Sequence, residues 1–314
     1  PWGSPGGAGP SGWGEGRLGL PTEAATTATR PRLSISLTAP LNLLSEAPLC
    51  LNALNRNDWY QHLSNGMFYC RKRKELMESI KNYKPPDSSV SQARVLLVGQ
   101  VGAGKSSFFN SINSVFRGHV TSQAMSGSSA TSLTTQVCLC LSFIDGQGGK
   151  PLPITLCDTM GLEESKGAGL DVDDISSILK GHVPDFYQFN PAAPLHAEVQ
   201  GYRKSPGVKD KIHCVAYVID ACKVSIMPTK LEEKLELVLL TKVDEANHCL
   251  DIKLDDAVGV PLSCVVPVKN YSGELELDLN CDILLLSAVI QMFRFTDNYF
   301  DELSDRLSST ELKD

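Results

Sequence analysis

Gly99-Gln-Val-Gly-Ala-Gly-Lys-Ser106 is the stretch that decides the fold. It fits G-x-x-x-x-G-K-[ST], the pattern of a loop that wraps a phosphate with successive backbone N–H groups pointing inward. Gly102 and Gly104 allow the dihedrals and the close backbone approach that such a wrap requires. Lys105 is placed to reach β- and γ-phosphates, and Ser106 to offer its hydroxyl to Mg²⁺. Gly99, Ala103 and Ser107 complete the set of loop residues expected at a nucleotide. The context agrees with the pattern. Arg94-Val-Leu-Leu-Val98 is a short apolar run, read as a buried strand, and Lys105 to Phe116 reads as a helix. That helix would aim the positive end of its dipole at the anion.

Working outward, strand and helix patterns alternate. Thr134 to Phe143 and Leu152 to Cys157 read as strands joined by a turn at Asp145 to Gly149. Asp173 to Leu179 reads as a helix. Ile212 to Ile219, Leu235 to Leu240 and Leu262 to Val268 read as strands, and Cys281 to Phe295 as an apolar helix. The proline-containing stretch 183–211 reads as an irregular insertion. Such alternation predicts an α/β fold, a P-loop NTPase G domain with a mainly parallel sheet and helices on both faces. Residues 91–305 are assigned to it. Residues 71–90 form a helix (Lys72 to Tyr83) and a linker that Pro85-Pro86 stops, and 306–314 form a tail. Residues 1–70 are an atypical N-terminal segment. Its first part, rich in Gly, Pro, Ala and Thr, reads as disordered.

Two downstream motifs choose the base. Thr241-Lys-Val-Asp244 follows the apolar run Leu237-Val-Leu-Leu240 and is close to NKxD. Asp244 can accept from guanine N1–H and the 2-amino group together. Adenine lacks that donor pair and would leave the carboxylate unpaired, at a cost of a few kcal/mol. Lys242 is expected along the base plane, and Thr241 belongs to the same motif. Thr229-Lys-Leu-Glu232 is a decoy without a preceding strand. Asp158-Thr-Met-Gly161 fits DxxG, as does Asp145-Gly-Gln-Gly148. Position separates the two, because Asp158 follows Ile154-Thr-Leu-Cys157 whereas Asp145 sits in a hairpin turn. Asp158 is assigned to Mg²⁺ through water, and the Gly161 N–H to the γ-phosphate. Among Thr131, Thr134 and Thr135, Thr134 is chosen as the switch threonine that ligates Mg²⁺. Lys269-Asn-Tyr-Ser272 supplies the last base-contacting loop, with Asn270 as its contact. The expected ligands are therefore GTP or GDP with Mg²⁺.

Turnover is a separate matter. The place directly after DxxG, where a Gln orients the attacking water in small GTPases, holds Leu162, which cannot hydrogen-bond water. Val101 stands where glycine is usual, and no arginine finger can be placed. No catalytic residue is assigned, and hydrolysis is expected to be slow or partner-dependent. The alternative is a nucleotide-stabilised scaffold that does not hydrolyse. An ATP-dependent enzyme ranks last because of Asp244.

Composition narrows the partners. The 314 residues are 42% hydrophobic and 21% charged, with a net charge of −7. Arg71-Lys-Arg-Lys74 is the one basic run, read as a solvated helix face, so nucleic acid is not expected as a partner. The ten Cys and six His show no metal spacing. Free thiols in a chain this long suit a reducing compartment. No stretch of 18 apolar residues appears, so no transmembrane segment is expected. Protein partners and nucleotide-dependent self-association stay open.

The order GQVGAGKSSFFNS, DTMG, TKVD resembles the interferon-induced protein 44 family, its 44-like branch included. Lys81-Asn-Tyr-Lys-Pro85 through Phe116-Arg-Gly-His-Val120, Tyr187-Gln-Phe-Asn-Pro191 and Asn270-Tyr-Ser272 carry the likeness further. It covers residues 70–305. The resemblance implies a cytoplasmic, interferon-inducible G-domain protein of antiviral and immune responses. It also implies an N-terminal TLDc-type domain in relatives, which residues 1–50 do not resemble. One departure concerns the crossover after Ile219. A parallel connection needs a dozen or more residues, and about 17 lie between Ile219 and Leu237. Relatives carry a longer helix there, so a bare sheet face beside Thr241 is expected.

Overall fold

A computed structural model of the chain describes residues 66–121, 139–146, 149–158, 172–185, 187, 195–199, 201–226, 237–246 and 261–311. The strands are β1 (Ala93–Val98), β2 (Leu139–Ile144), β3 (Pro151–Asp158), β4 (Cys214–Asp220), β5 (Leu237–Thr241) and β6 (Val265–Pro267). The helices are α1 (Gly66–Asn82), α2 (Lys105–Arg117), α3 (Val172–Leu179) and α4 (Leu279–Glu311). The strands form one six-stranded sheet in the order β2-β3-β1-β4-β5-β6. Neighbours from β3 to β6 run parallel, with Val95 opposite Cys214 and Ala216 opposite Leu237. β2 is antiparallel to β3 and closes one edge. The expected α/β class and largely parallel sheet are present.

The central strands are apolar along most of their length because both sheet faces are covered. On one face Val95, Leu97, Ala216, Val218, Leu237 and Leu239 meet Ile80 of α1, Phe108 and Ile112 of α2, and Leu285, Val289 and Met292 of α4. On the other, Leu96, Val98 and Cys157 meet Ile178 of α3 together with Val183, Leu195 and Ile212. Val183 and Leu195 come from the irregular insertion, which therefore contributes to the core.

Four findings depart from the sequence reading. The face of β5 beside Thr241 is not bare: Val238 and Leu240 are fully buried. A 3₁₀ helix, Ala221–Ile226, lays Ala221 and Val224 on it, and the turn after β5 adds Val243 and Ala246. Residues 262–264 form a 3₁₀ turn, with Cys264 N–H donating to Pro261 O, so β6 is only three residues long. α4 runs on to Glu311, well past the apolar stretch that marked it. It is long and apolar enough to cross a membrane, yet Leu285, Leu286, Ala288, Val289 and Met292 are fully buried against the sheet. Finally, the expectation of free thiols holds for Cys70, Cys214, Cys222, Cys264 and Cys281 but not for Cys157, which is disulfide-bonded.

Candidate functional site

The C-terminal ends of β1, β3, β4 and β5 bring together residues far apart in sequence. β1 is followed at once by the glycine-rich loop. Gly99 has no room for a side chain, since an added Cβ would lie 2.2 Å from Val218 O on β4. Gly102 and Gly104 have φ of 76° and 99°, the left-handed region that glycine adopts without strain. Gly104 caps α2 without a side-chain bond, so the helix start is left to other acceptors.

Lys105 folds back over the loop, its Nζ donating to Gly99 O at 2.8 Å and Gln100 O at 3.0 Å. It is nearly buried. That burial pulls its ammonium below its ordinary pKa, and Asp158 opposes the effect. Ser106 Oγ donates to Asp158 Oδ2 at 2.5 Å. Asp158 ends β3 and is 1% exposed. Asp145, the other DxxG aspartate, is elsewhere, with its carboxylate 3.1 Å from Lys81 Nζ of α1. An ammonium, a hydroxyl and a buried carboxylate at the start of a 13-residue helix can hold an anion and a hydrated divalent cation. Among the described residues no group of three or more His, Cys, Asp or Glu could hold a metal alone. A cation here would need oxygens from its anion and from water.

Thr241 ends β5. Its Oγ1 lies 2.6 Å from Ala103 O and 3.0 Å from Ile219 O, within donating reach of both, and the residue is fully buried. It latches the loop to the sheet. Lys242 adopts φ 56°, an uncommon conformation for a non-glycine residue, and its Nζ donates to Asp220 Oδ2 at 2.7 Å. Asp220 ends β4, buried, and also accepts from Cys222 N–H at 3.0 Å. Asp244 is the exposed member, 44% accessible, with Lys269 Nζ 3.6 Å away. Lys269 also pairs with Glu274 at 3.1 Å. Burial pushes the Glu274 carboxyl up, but bonds from the Ser272 and Gly273 amides and from Lys269 outweigh it and hold it at about 2. Asn270 Nδ2 donates to Gly104 O at 3.2 Å, while its Oδ1 is buried with no hydrogen-bond partner. Ser107 contributes its carbonyl, which accepts from Ser111 Oγ at 2.7 Å.

The structure thus brings together Gly99, Gly102, Ala103, Gly104, Lys105, Ser106, Asp158, Thr241, Lys242, Asp244 and Asn270. Thr134 and Gly161 lie outside the described residues. Sequence reasoning missed Asp220, although an aspartate closing an apolar strand was the signal that picked out Asp158. It also missed Ser111, which carried no signal.

No family model matches the chain. It is 43% identical over 260 residues to human interferon-induced protein 44-like, covering 74% of this chain and 57% of that one. It is 41% identical over 260 residues to human interferon-induced protein 44, covering 74% and 58%. Mouse interferon-induced protein 44 is 34% identical over 257 residues, covering 73% and 60%. The chain therefore spans less than two thirds of the length of these relatives. An aligned span of 260 residues also exceeds 74% of 314, so the relatives carry residues inside the match that this chain lacks. Over the matched region the chain belongs to the interferon-induced protein 44 family.

Proposed function

We propose that the site binds GTP and GDP with Mg²⁺, and that the chain is a nucleotide-binding G-domain protein of the P-loop class. One observation carries this reading. The glycine-rich loop, Asp158 and the Thr241 to Asp244 motif, spread along the chain from 99 to 244, lie at one end of the sheet, the crevice where open α/β sheets take ligands. In this reading the loop amides and Lys105 hold the phosphates. Ser106 and Asp158, now bonded to each other, would share Mg²⁺ between them, Asp158 through water. Asp244 would take the guanine N1–H and 2-amino group, displacing Lys269 toward Glu274. The residues fit such a ligand on two further counts. Gly102 and Gly104 put no Cβ where an anion must approach, and Asn270, whose Nδ2 meets the loop at Gly104 O, keeps a buried Oδ1 with no hydrogen-bond partner.

The relatives' names support an interferon-induced protein of the immune response, and a cytoplasmic location is part of the proposal. Leu162 after the DTMG motif favours slow or partner-dependent hydrolysis, and with it the second reading, a nucleotide-stabilised interaction protein. The test is a titration of the purified chain with labelled GDP, GTPγS and ATP, with and without Mg²⁺. Guanine-selective binding lost in Lys105→Ala and Asp244→Ala is the expected result. A folded chain that binds ATP as well as GTP, or neither, would sink the proposal.

A further inference from the structure

The loop that carries Lys269 and Asn270 is held from behind by groups that never reach the site. Tyr271 N–H donates to Ser111 Oγ on α2 at 2.8 Å. Tyr271 Oη, on the other side of the same residue, donates to Asp282 Oδ1 at 2.7 Å and lies 2.8 Å from the Asp278 amide, which donates to it. Asp282 sits in the first turn of α4, a favourable place for a carboxylate, and is 1% exposed. Its second oxygen, Oδ2, accepts from Arg73 Nε on α1 at 2.5 Å. Cys281, beside Asp282, donates Sγ–H to Lys269 O at 3.4 Å. A continuous path therefore runs from α1 through Arg73, Asp282 and Tyr271 to Asn270 and the Gly104 carbonyl.

We infer that Arg73 and Asp282 are positioning residues for the base-contacting loop, so that the seating of α1 on α4 sets how firmly the loop holds a guanine nucleotide. The physical reason is the burial of Asp282. A carboxylate out of water needs all its partners. If Arg73 leaves, Asp282 must find water or move, and Tyr271 moves with it. Tyr271 is the stiff part of the path. Burial and then the bond to Asp282 push its phenol far up, so it stays a neutral donor. Tyr271 is also pinned at two points 11 and 160 residues apart in sequence, which leaves its backbone little freedom. α1 itself is seated by Ile80 and by Tyr83, which stacks on Phe293 at 3.7 Å and donates to Asp297 at 2.7 Å. That second anchor is remote from the path and gives a control.

The inference rests on the guanine-nucleotide reading for its functional half, so the experiment uses two readouts on the full chain. The first is amide hydrogen exchange across 269–273 in the nucleotide-free protein. The second is the association and dissociation of N-methylanthraniloyl-GDP. In Arg73→Met, exchange in 269–273 should rise about ten-fold and GDP release should quicken by a similar factor, with association unchanged. Arg73→Lys, which keeps the charge, should recover most of the loss. Tyr83→Phe should lower the melting temperature yet leave exchange in 269–273 as it was. Unchanged exchange in Arg73→Met, or an equal rise in Tyr83→Phe, would overturn the inference. Raised exchange with GDP release unchanged would overturn its functional half. An unmodified chain that binds no GDP would refute the function proposed above, and the exchange data would still decide whether the path positions the loop.

Discussion

Thr241→Val tests the latch between the glycine-rich loop and the sheet. Valine keeps nearly the same shape and removes one hydroxyl. The hydroxyl is fully buried and lies 2.6 Å from Ala103 O and 3.0 Å from Ile219 O. Ile219 stands in register with Leu240 within the sheet, so the larger loss falls on Ala103. Its carbonyl is left facing a methyl group. Stranding a buried acceptor costs about 1–3 kcal/mol. Taking about 2 kcal/mol as the centre, the melting temperature of a domain this size should fall by about 4–8 °C. If the loop is released in the free protein, nucleotide must restore its order on binding. Affinity for GDP should then weaken by as much as about 30-fold, which is the same 2 kcal/mol. Thr241→Ser keeps the hydroxyl and should stay near the parent in both measurements. The assays are thermal unfolding by circular dichroism and titration with a fluorescent GDP. A valine variant that melts within about 1 °C of the parent and binds GDP equally well would refute the latch. A lower melting point with unchanged affinity would make Thr241 structural only.

The glycines of the loop should separate cleanly. An added Cβ at Gly99 would lie 2.2 Å from the Val218 carbonyl, a clash with backbone that forces β1 and β4 apart, so Gly99→Ala should cost about 3 kcal/mol or more, read by urea unfolding. Gly102 meets nothing within 4 Å and would suffer only from its φ of 76°, so Gly102→Ala should cost about 1 kcal/mol. His213 predicts an acid weakness. Its Nδ1 accepts from the Arg94 amide at 3.0 Å and its Nε2 lies 3.0 Å from Val208 O, which fits the neutral ring. Burial, aided by Arg94 and opposed by Val208, lowers its pKa below the unfolded value near 6.5. The unfolded chain therefore binds more protons, and this contribution is complete above pH 6.5 and declines as pH falls toward the folded pKa. The melting temperature should drop between pH 7 and 5, and His213→Gln should show a shallower drop; parallel curves would disprove the assignment.

The sequence made the site legible where chemistry constrains neighbours along the chain. The Gly99 to Ser106 spacing is legible because, in the proposed reading, one phosphate is reached by one turn of backbone and the first residues of α2. Asp158 could be told from Asp145 because a strand's C-terminal end points at that loop and a hairpin tip does not. The strand order was legible only as a class, since nothing local to β1 says that β3 and β4 are its neighbours. Element ends were blurred for physical reasons. β6 lost its first three residues to the turn begun at Pro261. α4 gained a polar extension, Asp301 to Glu311, whose exposed residues carry no apolar period.

The groups that hold the site, as opposed to touching a ligand, were the ones missed, and the reason is general. A side chain that meets a nucleotide must satisfy a fixed small molecule, so its position relative to other contacts is constrained and leaves a pattern. A side chain that supports such a contact needs only a partner of the right charge, which any element passing nearby can supply. Arg73 and Asp282 are 209 residues apart, and Arg73 lies within a basic run that reads as a solvated helix face. That reading is right for Arg71, whose side chain is 81% exposed and pairs with Glu75 four residues on. It fails for Arg73, 27% exposed, because the facing surface of α4 offers a buried carboxylate. Asp220 and Lys242 repeat the lesson at shorter range. Lys242 reads as a base-plane residue from its motif, and its ammonium rests on a carboxylate at the end of the neighbouring strand. Whether that ammonium leaves Asp220 when guanine arrives is a matter of competing partners, and the buried carboxylate, which would be left with the Cys222 amide at Oδ1, argues that Lys242 stays.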